Sequence, residues 1–286
     1  MPRAIDHIVI ASRDLGAQAD LFRRLGFQVG ARNRHPWGTE NHIVQFDGAF
    51  LELIGLGEGF EPPNTAKGDY SFASFVARFL ERREGLAMLA LRSNDAEADR
   101  RDFAANGLGD FPRFEFARKA TRPDGATVDV AFSLAFAASE ALPEAGFFVC
   151  QQHFPENFWS QAAQIHPNGA MGISGLAFAH EAPLEAAHFL APFVGSSAAR
   201  TAGRGLEIDA AGATIEVASR SVLRKKYGAS AIESDGPPLA LMRIQIVDAD
   251  TTSDLLSKGG IAYRAHGHAL VVNAANALGA AIVFEA

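Results

Sequence analysis

Two residues stand out because their chemistry conflicts with their surroundings. His7 opens the run Ile8, Val9 and Ile10, and Glu52 lies between Leu51 and Leu53. An ionised carboxylate among apolar neighbours is costly to bury without a cation or strong hydrogen bonds. Imidazole and carboxylate together suit a divalent first-row metal ion. The competing expectation is a hydrogen-bonded core histidine and a glutamate paired with an arginine. Between the two lies His35-Pro-Trp-Gly-Thr39 followed by Asn41 and His42, a polar hairpin containing glycine. Trp37 is suited to stack on a planar ligand, while His35, Thr39 and Asn41 would orient oxygens or, at His35, move a proton. His42 is a weaker alternative ligand. Arg118 and Arg122 offer a clamp for a carboxylate, although most arginines are solvated surface residues.

Such residues need elements to hold them, and one pattern recurs four times. A short apolar strand comes first, starting at Ile5, Leu86, Ile173 and Leu239. Polar residues suited to a helix start follow, among them Asp14, Asp95 and Asp248. Apolar residues then recur three and four apart, as in Leu15, Ala19, Phe22 and Leu25. Glycine falls where a left-handed cap is expected, at Gly26, Gly107, Gly195 and Gly259. Two or three strands complete each unit, the last introduced by Gly48, Gly146, Gly212 or Gly279. The order is β-α-β-β-β, at spacings too irregular for a solenoid. Pairing the units gives two domains, residues 1–160 and 161–286. A loop over 58–71 leads to a linking helix predicted over 72–82. His166-Pro-Asn-Gly169 reads as turn chemistry between the domains.

Composition narrows the function classes. The chain has 286 residues, enough for about two domains at roughly 150 residues each. A net charge of −7 argues against a nucleic-acid surface, which needs a basic face. The single cysteine excludes a disulfide framework and a thiolate zinc cluster. No apolar run is long enough to span a membrane, and the start lacks a signal-peptide core, so a cytoplasmic location is expected. Phosphate-loop, dinucleotide-binding and serine-hydrolase motifs are absent.

At the level of motifs, the chain resembles the glyoxalase-like domain family of the vicinal oxygen chelate superfamily, which includes glyoxalase I, extradiol dioxygenases and bleomycin-resistance proteins. The residues that carry this are Ile5-Asp-His-Ile-Val, Leu25-Gly-Phe, His35-Pro-Trp-Gly-Thr-Glu-Asn41, Leu51-Glu-Leu-Ile54, Pro143-Glu-Ala-Gly-Phe-Phe148 and Gln152-His-Phe-Pro155. They cover the first 170 residues; from 173 onwards the likeness is one of pattern only. The resemblance implies an α+β fold, four βαβββ modules paired into two vicinal-oxygen-chelate-type domains. It also implies that the first and fourth strands of a module supply metal ligands, the positions of His7 and Glu52.

The second module departs from that pattern. Aligning Ser12 with Ser93 puts Met88 opposite His7, and a thioether is a poor ligand for a hard ion. A third ligand must then come from the closing strand, where Cys150, Gln152 and His153 compete. Cys150 and Gln152 share a face, and His153 joins them only if the strand bulges or ends. His153 is the most attractive chemically, and a glutamine ligand occurs in glyoxalase I relatives. The expected centre is His7, Glu52 and His153 around one divalent ion (iron, zinc, manganese or nickel). Glu52 or His35 would act as base, and Trp37, Thr39, Asn41, Gln152 and Arg118 would contact the substrate. The reaction implied is that of a lyase, an isomerase or a ring-cleaving dioxygenase acting on a small molecule with vicinal oxygens. The alternative is a metal-free binding or resistance protein using the same cleft. In the C-terminal half Glu216 takes the place of Glu52, but no histidine matches His7. That half is expected to enclose the substrate or to form the contact of a homodimer.

Overall fold

A computed structural model describes residues 1–64, 68–121, 125, 127–196, 199–228, 232 and 235–286. The first module comprises β1 (Ile5–Ala11), α1 (Leu15–Arg24), β2 (Asn33–Arg34), β3 (Thr39–Gln45) and β4 (Phe50–Leu56). After α2 (Phe72–Arg82), the second has β5 (Gly85–Arg92), α3 (Ala96–Ala105), β6 (Phe114–Thr121), β7 (Thr127–Ala137) and β8 (Gly146–Gln152). A single turn, α4 (Pro155–Phe158), leads into the third: β9 (Ala170–Ala179), α5 (Pro183–Val194), β10 (Arg200–Ala202), β11 (Gly205–Asp209) and β12 (Thr214–Ala218). Then come α6 (Arg220–Tyr227) and the fourth module: β13 (Leu239–Ile246), α7 (Ala249–Lys258), β14 (Arg264–His266), β15 (Ala269–Val272) and β16 (Ala281–Glu285).

The described strands form two eight-stranded sheets of the same topology, β2-β3-β4-β1-β5-β8-β7-β6 and β10-β11-β12-β9-β13-β16-β15-β14. In each, the opening strands of two modules meet antiparallel at the centre and each pairs in parallel with its own closing strand. This is the α+β arrangement expected from the fourfold pattern. No helix among the described residues is long and apolar enough to cross a membrane.

Strand alternation divides the side chains between two cores. One face of both sheets, with Ile8, Leu51 and Phe147 from the first and Phe178 and Phe284 from the second, joins a single core shared by the halves. Phe147 meets Phe178 and Phe189 across that boundary, and Phe27 meets Phe284. Each fully buried phenylalanine contributes roughly 1.5–3 kcal/mol of transfer free energy. The other face of the first sheet is covered by α2, whose Phe72, Phe75, Val76, Phe79 and Leu80 pack on Val9, Ala87 and Met88. On the second sheet, α6 does the same with Leu223 and Tyr227.

The local signals mostly act as read. Asp14, Asp95 and Asp248 cap their helices through their side chains, and Ser71, not singled out in the sequence, caps α2 in the same way. Gly26, Gly107 and Gly195 adopt positive φ. Gly259 does not: its φ is −74°, and Gly260 takes the left-handed position at +67°. His166 and Asn168 fasten the halves together. His166 Nε2 is 2.8 Å from the Gln45 carbonyl, its Nδ1 accepts from the Gln28 amide at 3.0 Å, and Asn168 donates to the Leu25 carbonyl.

Candidate functional site

The cavity between α2 and the first sheet is floored by the central strands, and β1 is irregular there. Ile5 faces Leu91 and His7 faces Ala90, so Asp6 is an extra residue, a bulge. The bulge brings the Asp6 carboxylate against the ring of its own neighbour. Asp6 is fully buried, 2.6 Å from His7 Nδ1, and accepts from Gln152 Nε2 at 3.0 Å, with the Cys150 sulfur within 4.8 Å. An anion beside Nδ1 keeps the proton there and leaves the Nε2 lone pair facing outward. The ring is held flat against Phe50, centroids 4.2 Å apart. Nε2 lies 3.8 Å from Glu52 Oε2, too far for a hydrogen bond but within the span of two ligand atoms each about 2.0–2.2 Å from one ion.

Glu52 stands beside Val9 on β4 and accepts from Asn41 Nδ2 at 2.6 Å. Neither it nor Asp6 has a lysine or arginine within ion-pair distance among the described residues; their nearest charged partners are His7 and His35. Two buried carboxylates with no paired cation make this a place where a positive ion is favoured.

His35 sits over Glu52, with Nε2 3.7 Å from Oε1. Its Nδ1 meets the Thr39 hydroxyl at 2.8 Å, and its Nε2 faces the Asn41 amide nitrogen at 3.3 Å. Because that nitrogen is a donor, Nε2 is the acceptor and the ring proton belongs on Nδ1. Burial pushes the His35 pKa below the ordinary histidine value; Glu52 opposes this, and Arg118 and His7 reinforce it. The ring is therefore a neutral base. The Asn41 carbonyl oxygen and the Trp37 indole nitrogen are buried without partners, one acceptor and one donor at the cavity wall.

The remaining wall is largely aromatic, including Trp37, Phe72, Phe116, Phe148 and Phe158, with Arg118 on β6 as its cation. Free space amounts to about 50 Å³, room for a few water-sized groups. Cys150 also lines it. Burial, with the charges of Asp6 and Glu52, pushes that thiol well above its ordinary pKa. Ligand atoms of Asp6, His7 and Cys150 lie within 4.8 Å of one another, a possible buried metal site.

The model of the glyoxalase-like domain family matches residues 5–194. The chain belongs to that family. Among solved structures, a hypothetical protein from Staphylococcus aureus superposes with TM-score 0.68 at 12% identity, over 100% of this chain and 99% of that one. A triple mutant of 4-hydroxymandelate synthase from Streptomyces coelicolor gives TM-score 0.60 at 14% identity, over 99% and 92%. A xylose isomerase-like TIM barrel/4-hydroxyphenylpyruvate dioxygenase fusion protein gives 0.56 at 12% identity; all but 1% of this chain is covered, but only 49% of that one. The last two belong to the vicinal oxygen chelate superfamily, and at these identities the likeness is one of fold. No curated protein matches the chain in sequence.

In this glyoxalase-like chain, His7, Glu52, His35, Trp37, Asn41 and Arg118 line one cavity. Thr39 holds His35, and Gln152 reaches the centre only through Asp6, its Oε1 buried and unpartnered. His153 is not brought to His7 and Glu52. The strand keeps alternating past Gln152, so His153 is exposed on the opposite face, 2.7 Å from Ser133, which in turn donates to Glu115. His42 likewise faces away, with Nδ1 2.8 Å from the Gly30 carbonyl. Arg122 lies outside the described residues. Sequence reasoning missed Asp6, because strict alternation puts it on the face opposite His7.

The C-terminal half carries a different arrangement at equivalent positions. Glu216 stands beside Ala177 as Glu52 stands beside Val9. It accepts from Lys226 at 2.8 Å and from Tyr227 at 2.7 Å. Gly175 occupies the His7 position, and a Cβ there would meet the Arg243 guanidinium. Arg243 donates to Glu285 at 3.1 Å, and Ser174 donates to the same oxygen at 2.6 Å. This half supplies its own cations.

Proposed function

We propose that the chain is a metal-dependent enzyme in which His7 Nε2 and Glu52 would hold a divalent ion in the N-terminal cavity. The observation that carries this is the pair of buried carboxylates, Asp6 and Glu52, unpaired with lysine or arginine among the described residues and flanking an imidazole whose free nitrogen faces the cavity. The donor set suits iron, zinc, manganese or nickel. Such an ion supplies a Lewis acid for two adjacent substrate oxygens.

The chain's own residues supply the rest. Asp6 holds the His7 ring in one tautomer. His35, neutral and 3.7 Å from Glu52, would accept a proton from a substrate carbon or hydroxyl held in the cavity. Arg118 takes a substrate carboxylate, which favours a 2-oxo or 2-hydroxy acid over a neutral diol. The aromatic walls exclude water and sandwich a planar group. The single cysteine, kept as a thiol, fits a reducing compartment such as the cytoplasm.

A metal-free binding protein is the second reading, favoured by Met88 at the position equivalent to His7. Elemental analysis of protein purified without chelators, with a His7→Ala, Glu52→Ala double variant beside it, separates the two. Near-stoichiometric metal in the wild type and none in the variant is the expected result. No metal, and no uptake of iron, zinc, manganese or nickel on titration, refutes the enzyme reading.

A further inference from the structure

Asn41 brings to the cavity an acceptor that none of the roles above uses. Thr39, Asn41 and Ile43 alternate along β3 and so share one face. Thr39 holds His35, while Asn41 and Ile43 line the cavity. Asn41 is only 4% exposed. Its Nδ2 donates to Glu52 Oε1 at 2.6 Å and faces His35 Nε2 at 3.3 Å. Turning the amide over would set its oxygen against the Glu52 carboxylate, so the orientation is fixed by chemistry. That leaves the carbonyl oxygen buried at the cavity wall without a partner. An acceptor in this state carries a desolvation cost that a donor on a ligand removes.

The matching donors stand elsewhere on the wall. Trp37 stacks on His35 with ring centroids 4.6 Å apart, and its indole N–H is also buried without a partner. Arg118, on β6, adds a guanidinium to the same cavity. An N–H and a guanidinium suit the oxygens of a carboxylate. The Asn41 oxygen calls for an O–H or N–H on the same molecule.

From these unmet groups we propose that the ligand is a 2-hydroxy acid, its hydroxyl donating to Asn41 and its carboxylate received by Arg118 and Trp37. A 2-oxo acid has no proton to give and sets its carbonyl against the Asn41 oxygen, so the site discriminates against it. The choice of hydroxyl over ammonium rests on the metal-centre reading above, because a divalent ion held by His7 and Glu52 repels an amino acid's charged nitrogen.

Lactate, pyruvate and alanine test this, since they share a carbon skeleton and a carboxylate and differ only in bearing a hydroxyl, a carbonyl or an ammonium at C2. Binding to the zinc-loaded full chain is read by saturation-transfer NMR on the ligand methyl protons, with zinc content measured in the same sample. Lactate should bind at least about 10-fold more tightly than pyruvate, and alanine more weakly than lactate. In Asn41→Ala the ratio of lactate to pyruvate affinity should fall to within about threefold. A general weakening cancels in that ratio, and the wild-type comparison needs no variant. Pyruvate as tight as lactate, a preference unchanged in Asn41→Ala, or no binding of either acid overturns the hydroxy acid while bound zinc leaves the metal centre standing. Alanine tighter than lactate, or no zinc retained, overturns both.

Discussion

Replacing Asp6 by asparagine separates the orientation of His7 from its presence. Asp6 presents one oxygen to His7 Nδ1 at 2.6 Å and the other to Gln152 Nε2 at 3.0 Å. Asparagine keeps one oxygen, which remains with His7, and turns its NH₂ towards the Gln152 amide. Gln152 can answer by reversing its own amide, because its Oε1 has no other partner. The hydrogen-bond count at the fold level is thus nearly conserved. What changes is the acceptor behind His7, from an anion to a neutral amide, which weakens the polarisation of the ring and its hold on one tautomer. Loss of such an outer partner lowers metal affinity about 10–100-fold, or roughly 1.4–2.8 kcal/mol at 1.4 kcal/mol per tenfold. Competition of zinc against a chromophoric chelator measures this, with the metal-free thermal midpoint reporting the fold. An affinity within about twofold of wild type, in a variant that melts normally, would refute the idea that Asp6 sets the ligand.

Arg118→Met should weaken binding of phenylglyoxylate relative to its neutral analogue acetophenone, read by quenching of tryptophan fluorescence; equal loss for both would show that Arg118 only packs. His166 uses both ring nitrogens as a neutral imidazole, and burial lowers its pKa despite the Gln45 carbonyl. The unfolded chain therefore takes up this proton first, near about pH 6.5. Its stability contribution is complete above that pH and is lost as pH falls through the lowered folded value. The thermal midpoint should drop on acidification, and less steeply in His166→Gln. Gly85→Ala places a Cβ against the Gly279 backbone at a φ of +117° and should cost about 2–4 kcal/mol, seen as a midpoint at least roughly 4 °C lower. Arg243→Met strands Glu285 and should cost about 1–3 kcal/mol in denaturant unfolding while leaving zinc affinity in the first half unchanged.

How far the sequence could be read depended on the kind of signal. The repeated β-α-β-β-β order follows from local caps, glycines and periodicity, and the helix over 72–82 appears at those bounds. His7 and Glu52 were visible as polar residues in apolar strands. The choice among Cys150, Gln152 and His153 stayed open, because it depends on where β8 stops alternating. His153 needed a bulge that β8 does not make; the bulge lies on β1, where it brings in Asp6. Bulges arise from the pairing of two strands and leave little trace in either alone. The place of Cys150, one of the three candidates on the closing strand, was misjudged for a related reason. Counting from glycines aligns it with Glu52, whereas the hydrogen-bonded register aligns it with Glu285.

The bulges on the central strands carry a further meaning. Asp6, Ala87, Ser174 and Ala240 each form the extra residue at equivalent places in the four modules. The backbone device that aims a side chain at the centre of a sheet is therefore inherited in quadruplicate, while an acid has been installed in one copy. Gain or loss of chemistry in this architecture needs no new loop, strand or register. A change of side chain at a bulge and its next residue is enough to alter what the centre of either sheet presents, while the backbone stays as it is.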